Sequence, residues 1–180
     1  MHQEIRQLGY PQQNTFNFLG KNFTMSASTI ELLNQILINT FVYKKELSSL
    51  SEQVHSEETC LKLKDFANRR KKQANELIQI INTMGGDVQS TPNRTDAPKL
   101  SWCADLPPKN KDTIALLTYL ITVEEKSLEE YQKVWGQISN SEIESRLKVH
   151  IKQGETTLKY LKTALHANQE SKKANANNDQ

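Results

Sequence analysis

Cysteine is scarce in this chain of 180 residues, with only Cys60 and Cys103 present. They form no CxxC pair, so no disulfide framework is expected and a reducing compartment is the default. Cys60 falls at an apolar helical position and Cys103 in a loop, which favours burial or idle exposure over catalysis. Aromatics make up 7% of the residues, too few for a typical β-sandwich. Six glycines and five prolines leave long stretches free of helix breakers. No apolar run reaches the roughly 18 residues of a membrane span. A charged start followed by an apolar run, the mark of a secretory signal, is also missing, so the cytoplasm is the expected location. Charge of one sign is not in excess: 23 basic against 21 acidic residues give a net +2. That balance argues against a dedicated nucleic-acid binder. No glycine loop fit to cradle phosphate and no nucleophile with a His/Asp partner set is visible.

What is present is helical periodicity. Leu33, Ile36, Thr40, Tyr43, Leu47, Leu50 and Val54 recur at spacings of three and four, which predicts a long amphipathic helix beginning near Ser28 or Thr29. Ser56 with Glu57 and Glu58 marks the next start. The tight turn between makes the first two helices antiparallel neighbours. The second stripe is Cys60, Leu63, Ala67, Arg70, Ala74, Leu77, Ile81 and Met84, ended by Gly85 and Gly86. The third helix is expected from Lys111 or Asp112 to Gln137, with Ile114, Leu117, Ile121, Glu124, Leu128, Tyr131 and Trp135 on its stripe. Asn140 and Ser141 with Glu144 form a capping box for the fourth, whose stripe is Ile143, Leu147, Ile151, Gly154, Leu158, Leu161 and Leu165.

The fold class expected is therefore all-α, a four-helix bundle over residues 28–167. Residues 1–27 read as a flexible tail, and Met25, just before the first cap, is a candidate start of translation. Residues 168–180, rich in Asn, Lys, Gln and Ala, read as a disordered tail. The link over residues 87–110 is long for a compact domain. It holds an apolar island of Leu100, Trp102, Cys103 and Leu106. A helix of about 27 residues is roughly 40 Å long, and an extended link of this size can run its length. Trp102 would pin the link to the bundle's side. One long crossover of this sort belongs to the ferritin-like arrangement.

The midpoints of the four helices bring Tyr43, Arg70, Glu124, Gln153 and Gly154 to one level. An ionised group on a core stripe needs a partner, and Arg70 and Glu124 are natural partners through a forked guanidinium–carboxylate contact. Tyr43 and Gln153 could take up the remaining donors and acceptors. Gly154 would make room for the guanidinium or for Tyr43. The alternative is that these residues face the bundle edge and are partly wet. The run Arg69, Arg70, Lys71 and Lys72 reads mainly as a solvated helix face, with anion or nucleic-acid binding as the alternative.

The layout resembles the ferritin-like superfamily, and more narrowly an uncharacterised bacterial family of ferritin-like domains of unknown function, distantly akin to rubrerythrin. The residues that carry the resemblance are Leu32, Leu33 and Asn34, then Tyr43, Phe66, Ala67 and Arg70 with Glu76 and Leu77. Met84 to Asp87, the Trp-bearing link, Val123 to Tyr131 and Gln153 complete it. It covers roughly residues 28–166. Ferritin-like enzymes hold two metals with one Glu from each of two helices and Glu-x-x-His from each of the other two. At mid-bundle this chain offers one matching carboxylate, Glu124, with Arg70 where a ligand would stand. The resemblance thus implies a non-enzymatic, stress-related bundle whose metal centre is replaced by an ion pair. Without a second copy at its level, Glu52 and His55, the only Glu-x-x-His, are read as surface chance. The alternative is an iron or manganese oxidoreductase with ligands drawn from Glu46, Glu124, Glu125 and His150. A homo-oligomer, a dimer first, is expected, together with an unidentified protein partner. Ile38, Phe41, Val42, Leu116 and Leu120 are a candidate second apolar face.

Overall fold

The computed structural model describes residues 27–54, 56–89, 102–103 and 112–178. They form four helices: α1 Ala27–Gln53, α2 Glu57–Thr83, α3 Thr113–Trp135 and α4 Ser141–Asn178. No described helix is long and apolar enough to cross a membrane. The expectations for residues 1–26, including the start at Met25, lie outside the described residues, as does His55 of the Glu-x-x-His pair.

Local chemistry sets the helix ends. The Ser56 side chain accepts from the Thr59 amide at 3.3 Å, and Glu57 and Glu58 occupy the positive end of α2. Asp112 caps α3 by accepting from the Ile114 amide at 3.1 Å. Asn140 Oδ1 accepts from the amides of Glu142 and Ile143 at 3.0 and 3.1 Å to open α4. At the exit of α2, Gly85 adopts φ 72°. The Gly86 amide then reaches the Ile81 carbonyl and the Gly85 amide the Asn82 carbonyl, the paired closure that a left-handed glycine permits.

One boundary differs from expectation. α4 does not stop at Ala167; it runs on to Asn178. Residues 168–175 are exposed, so no burial holds them. Ala, Lys, Gln and Glu are strong helix formers, and the fourth helix is already nucleated upstream, so propagation adds one bond per residue. Asn168 Nδ2 and Ser171 Oγ donate back to the carbonyls of Ala164 and Ala167.

The helices form a ring in which α1 packs on α2 and α3, and α4 packs on α2 and α3; the diagonals share no close backbone approach. Short turns make α1–α2 and α3–α4 antiparallel hairpins. Across the second pair of seams, Phe66 meets Tyr160, Gln73 meets Gln153 and Glu76 meets His150, so α2 and α4 are also antiparallel. Consequently α2 and α3, on opposite corners, point the same way. Leu63 and Phe66 near the start of α2 accordingly line one groove with Thr113 and Leu117 at the start of α3.

The core is the expected stripes: Leu33, Ile36, Leu47, Leu63, Leu77, Ile81, Leu117, Leu128, Leu147 and Leu161 are buried. Leu116 and Leu120, read as a second outward face, belong to this core too; Ile38, Phe41 and Val42 are half-buried. Buried Asn34 clasps the exit of α2, donating to the Asp87 carbonyl at 2.9 Å and accepting from the Gln89 amide at 2.8 Å. Trp102 is buried on the ring of Tyr131, 6.2 Å between centroids.

Candidate functional site

Halfway along the bundle the apolar stripes give way to a polar layer. Arg70 on α2 and Glu124 on α3 project across the diagonal and meet at the centre, with Nη2 to Oε1 at 2.5 Å and both side chains almost fully buried. The other guanidinium nitrogen, Nη1, donates to Gln73 Oε1 and to Ser127 Oγ, each at 3.1 Å. Gln73 Nε2 passes the network to Gln153 Oε1 on α4 at 3.0 Å. The Tyr43 ring of α1 covers the guanidinium at 4.9 Å and the Trp102 ring flanks it at 5.6 Å, a contact that favours a cation over an aromatic face. All four helices and the link thus contribute to one network.

Its electrostatics follow from burial and pairing. Burial is the largest single effect and works against the charge on Arg70, but Glu124 together with the Tyr43 and Tyr131 side chains outweighs it, and the guanidinium is held more firmly protonated than usual. Burial pushes the Tyr43 phenol well above its ordinary range, with Glu124 beside it acting the same way. Burial also raises Tyr131, to about 12. Neither phenol supplies an anion near neutral pH, so the layer carries one positive and one negative charge in direct contact.

Gly154 lies against this layer, but the space it leaves is not taken by the guanidinium or by Tyr43. A Cβ there would stand 2.8 Å from Leu128 Cδ2 and 3.1 Å from Glu124 Oε1. The glycine therefore admits the carboxylate and its neighbouring leucine. A cavity of about 10 Å³ adjoins the layer between Phe66, Gln73, Gln153 and Thr157, room for about one water.

Other residues singled out in the sequence do not join the network as a set. Glu125 points outward and pairs with Lys162 at 2.8 Å. Glu46 on α1 is half-buried, and burial raises its carboxyl pKa. His150 is buried on α4, where its Nε2 meets Glu76 Oε2 at 2.6 Å. Among the described residues no three His, Cys, Asp or Glu side chains come together in a way that could hold a metal ion. The basic run on α2 divides: Arg70 turns inward, Arg69 pairs with Asp65 at 2.6 Å, and Lys71 and Lys72 stay exposed. Cys60 and Cys103 are half-buried; burial lifts the Cys103 thiol to about 11, far from thiolate at neutral pH.

Sequence reading had not assigned Gln73, Ser127 and Glu76 to this region. Gln73 and Ser127 each stand three residues beyond a layer residue, Arg70 and Glu124, and so share its face. That spacing is the signal by which they could have been found. Glu76 carried none, being an exposed-side position that reaches sideways to α4.

These features define the class: a four-helix bundle with an ionised layer at its centre, in which the Arg70 guanidinium is hydrogen-bonded to Glu124, Gln73 and Ser127 while the Tyr43 hydroxyl is buried without a partner among the described residues. No family model matches the chain, and no curated protein matches it.

Proposed function

We propose that the chain is a ferritin-like bundle without enzymatic chemistry of its own, in which the Arg70–Glu124 pair stands where relatives of that fold hold two metals. The fold half of this reading is supported by helix direction. With α2 and α3 parallel, the end of α2 and the start of α3 lie at opposite ends of the bundle, the separation that the long crossover of a ferritin-like arrangement spans. α2 alone is about 40 Å long, a span that the 29 residues between Thr83 and Thr113, if extended, exceed.

The chemical half is carried by one observation, the guanidinium of Arg70 seated directly on Glu124. The di-metal carboxylate site of that fold takes a Glu from each of two helices and a Glu-x-x-His from each of the other two, so it carries several negative charges. Here the mid-bundle level offers Tyr43, Arg70, Gln73, Glu124, Ser127 and Gln153, with a single carboxylate already neutralised. A dication entering would meet the fixed positive charge of Arg70 at contact distance and repulsion in a weakly screened interior. The residues present therefore do not fit the metal pair. The working parts of such a protein are its outer faces, and the half-buried Ile38, Phe41 and Val42 of α1 suit contact with a second copy or another protein.

The test is elemental analysis of the purified full chain after incubation with ferrous iron, manganese and zinc. Less than a tenth of a metal per chain is expected (roughly, as for a protein with no site). Near-stoichiometric iron or manganese overturns the reading and favours an oxidoreductase.

A further inference from the structure

The α2–α4 seam, where the two hairpins meet, holds a buried group that the ion-pair layer does not use. His150 is 2% exposed. Its Nε2 faces the Glu76 carboxylate at 2.6 Å, while its Nδ1 is buried without any hydrogen-bond partner. We infer that His150 is an acid-sensitive catch on this seam: taking a second ring proton, at Nδ1, frees α4 from α2.

A carboxylate only accepts, so the nitrogen against Glu76 carries the ring hydrogen and Nδ1 is the bare one. Protonation at Nδ1 would place an N–H donor in the interior with nothing to receive it, at the full desolvation penalty of that group. The charged and titratable groups facing the ring are Glu76 and Arg70 from α2 and Tyr131 from α3, whose ring stands edge to face with the imidazole at 5.5 Å between centroids. α1 sits on the opposite corner and does not pack against α4. Glu76 favours the imidazolium; burial and the Arg70 charge oppose it. Burial is the larger effect and holds the ring's pKa below its ordinary value. Swinging α4 outward wets Nδ1, restores the ordinary value near 6.5 and lets the proton bind. The open form therefore binds more protons than the closed one, and acid drives the seam open. The neighbouring Gln73–Gln153 contact is neutral and adds no pH dependence of its own.

Hydrogen exchange of the α4 amides over residues 147–157 in the full chain, divided by the intrinsic amide rate at each pH, reads the opening equilibrium. Between pH 7.5 and 5.0 that equilibrium should grow severalfold, towards a ceiling of about thirtyfold set by one proton against an open-form pKa near 6.5. In His150→Gln, which keeps an N–H for Glu76 and cannot take the proton, it should stay flat. Equal growth in both proteins, or none in either, overturns the inference. Should the variant fail to fold, nitrogen NMR of the His150 ring in the unaltered chain decides. A neutral ring bearing its hydrogen on Nε2 at pH 6 supports the catch; a ring half-protonated near pH 6.5 in the closed protein removes it.

Discussion

Arg70 is a residue whose value lies in its partner. Removing it alone leaves Glu124 buried at 1% exposure without a countercharge, so Arg70→Leu should cost about 3–5 kcal/mol in a urea melt. Replacing both, Arg70→Leu with Glu124→Leu, should recover most of that loss, because an apolar pair of similar volume needs no hydrogen bonds. A single variant losing less than about 1 kcal/mol would mean that the pair is wet. Gly154 makes the opposite point. Alanine is the better helix former by about 1 kcal/mol, yet its methyl would press on Leu128 and Glu124. Gly154→Ala should therefore destabilise by about 1–3 kcal/mol, and Leu128→Ala in the same chain should relieve part of it. The reading of Tyr43, Arg70, Glu124, Gln153 and Gly154 at one level came from counting to helix midpoints. That works over the packed length of each helix, to residue 167 in α4, whose overhang moves the centre of the whole helix beyond Gly154. Counting cannot tell which atom fills a glycine's space, and so Leu128 was missed.

At the level of elements, the caps were the most legible features, since Ser56, Asp112, Asn140 and Gly85 each act within their own turn. The end of α4 was not legible for a related reason. A polar Ala/Lys/Asn run has no apolar stripe, so nothing marks it as helix or tail, and the outcome rests on continuation of the helix before it. Residues 168–175 of the overhang are exposed, so deleting residues 168–180 should change stability by less than about 0.5 kcal/mol. The same deletion should lower the helical circular dichroism signal by roughly the share of about 11 residues; an unchanged signal would show that the overhang is not helical in solution. Asn34, by contrast, is a short-range clasp with long reach. Asn34→Ala should release the backbone at residues 87–89, read as loss of exchange protection at the Gln89 amide, which now donates to the Asn34 side chain.

For the whole molecule, the two hairpins are each closed by a short turn, while their mutual placement rests on contacts far apart in sequence, such as Arg70 with Glu124 and Gln73 with Gln153. Periodicity gives the hairpins readily. It says nothing about which corner each helix takes, and helix direction emerges only from those cross-pairs. The ion pair lies on the diagonal, and that position sets the register of assembly. Leucines and isoleucines along the seams are nearly interchangeable, so one hairpin could slide past the other by a helical turn, about 5.4 Å, and still bury oil against oil. Such a slip would strand a guanidinium and a carboxylate in separate apolar surroundings, each at a cost of several kcal/mol. Arg70 and Glu124 therefore act as key and keyway, admitting one alignment of the hairpins among several that greasy surfaces alone would accept.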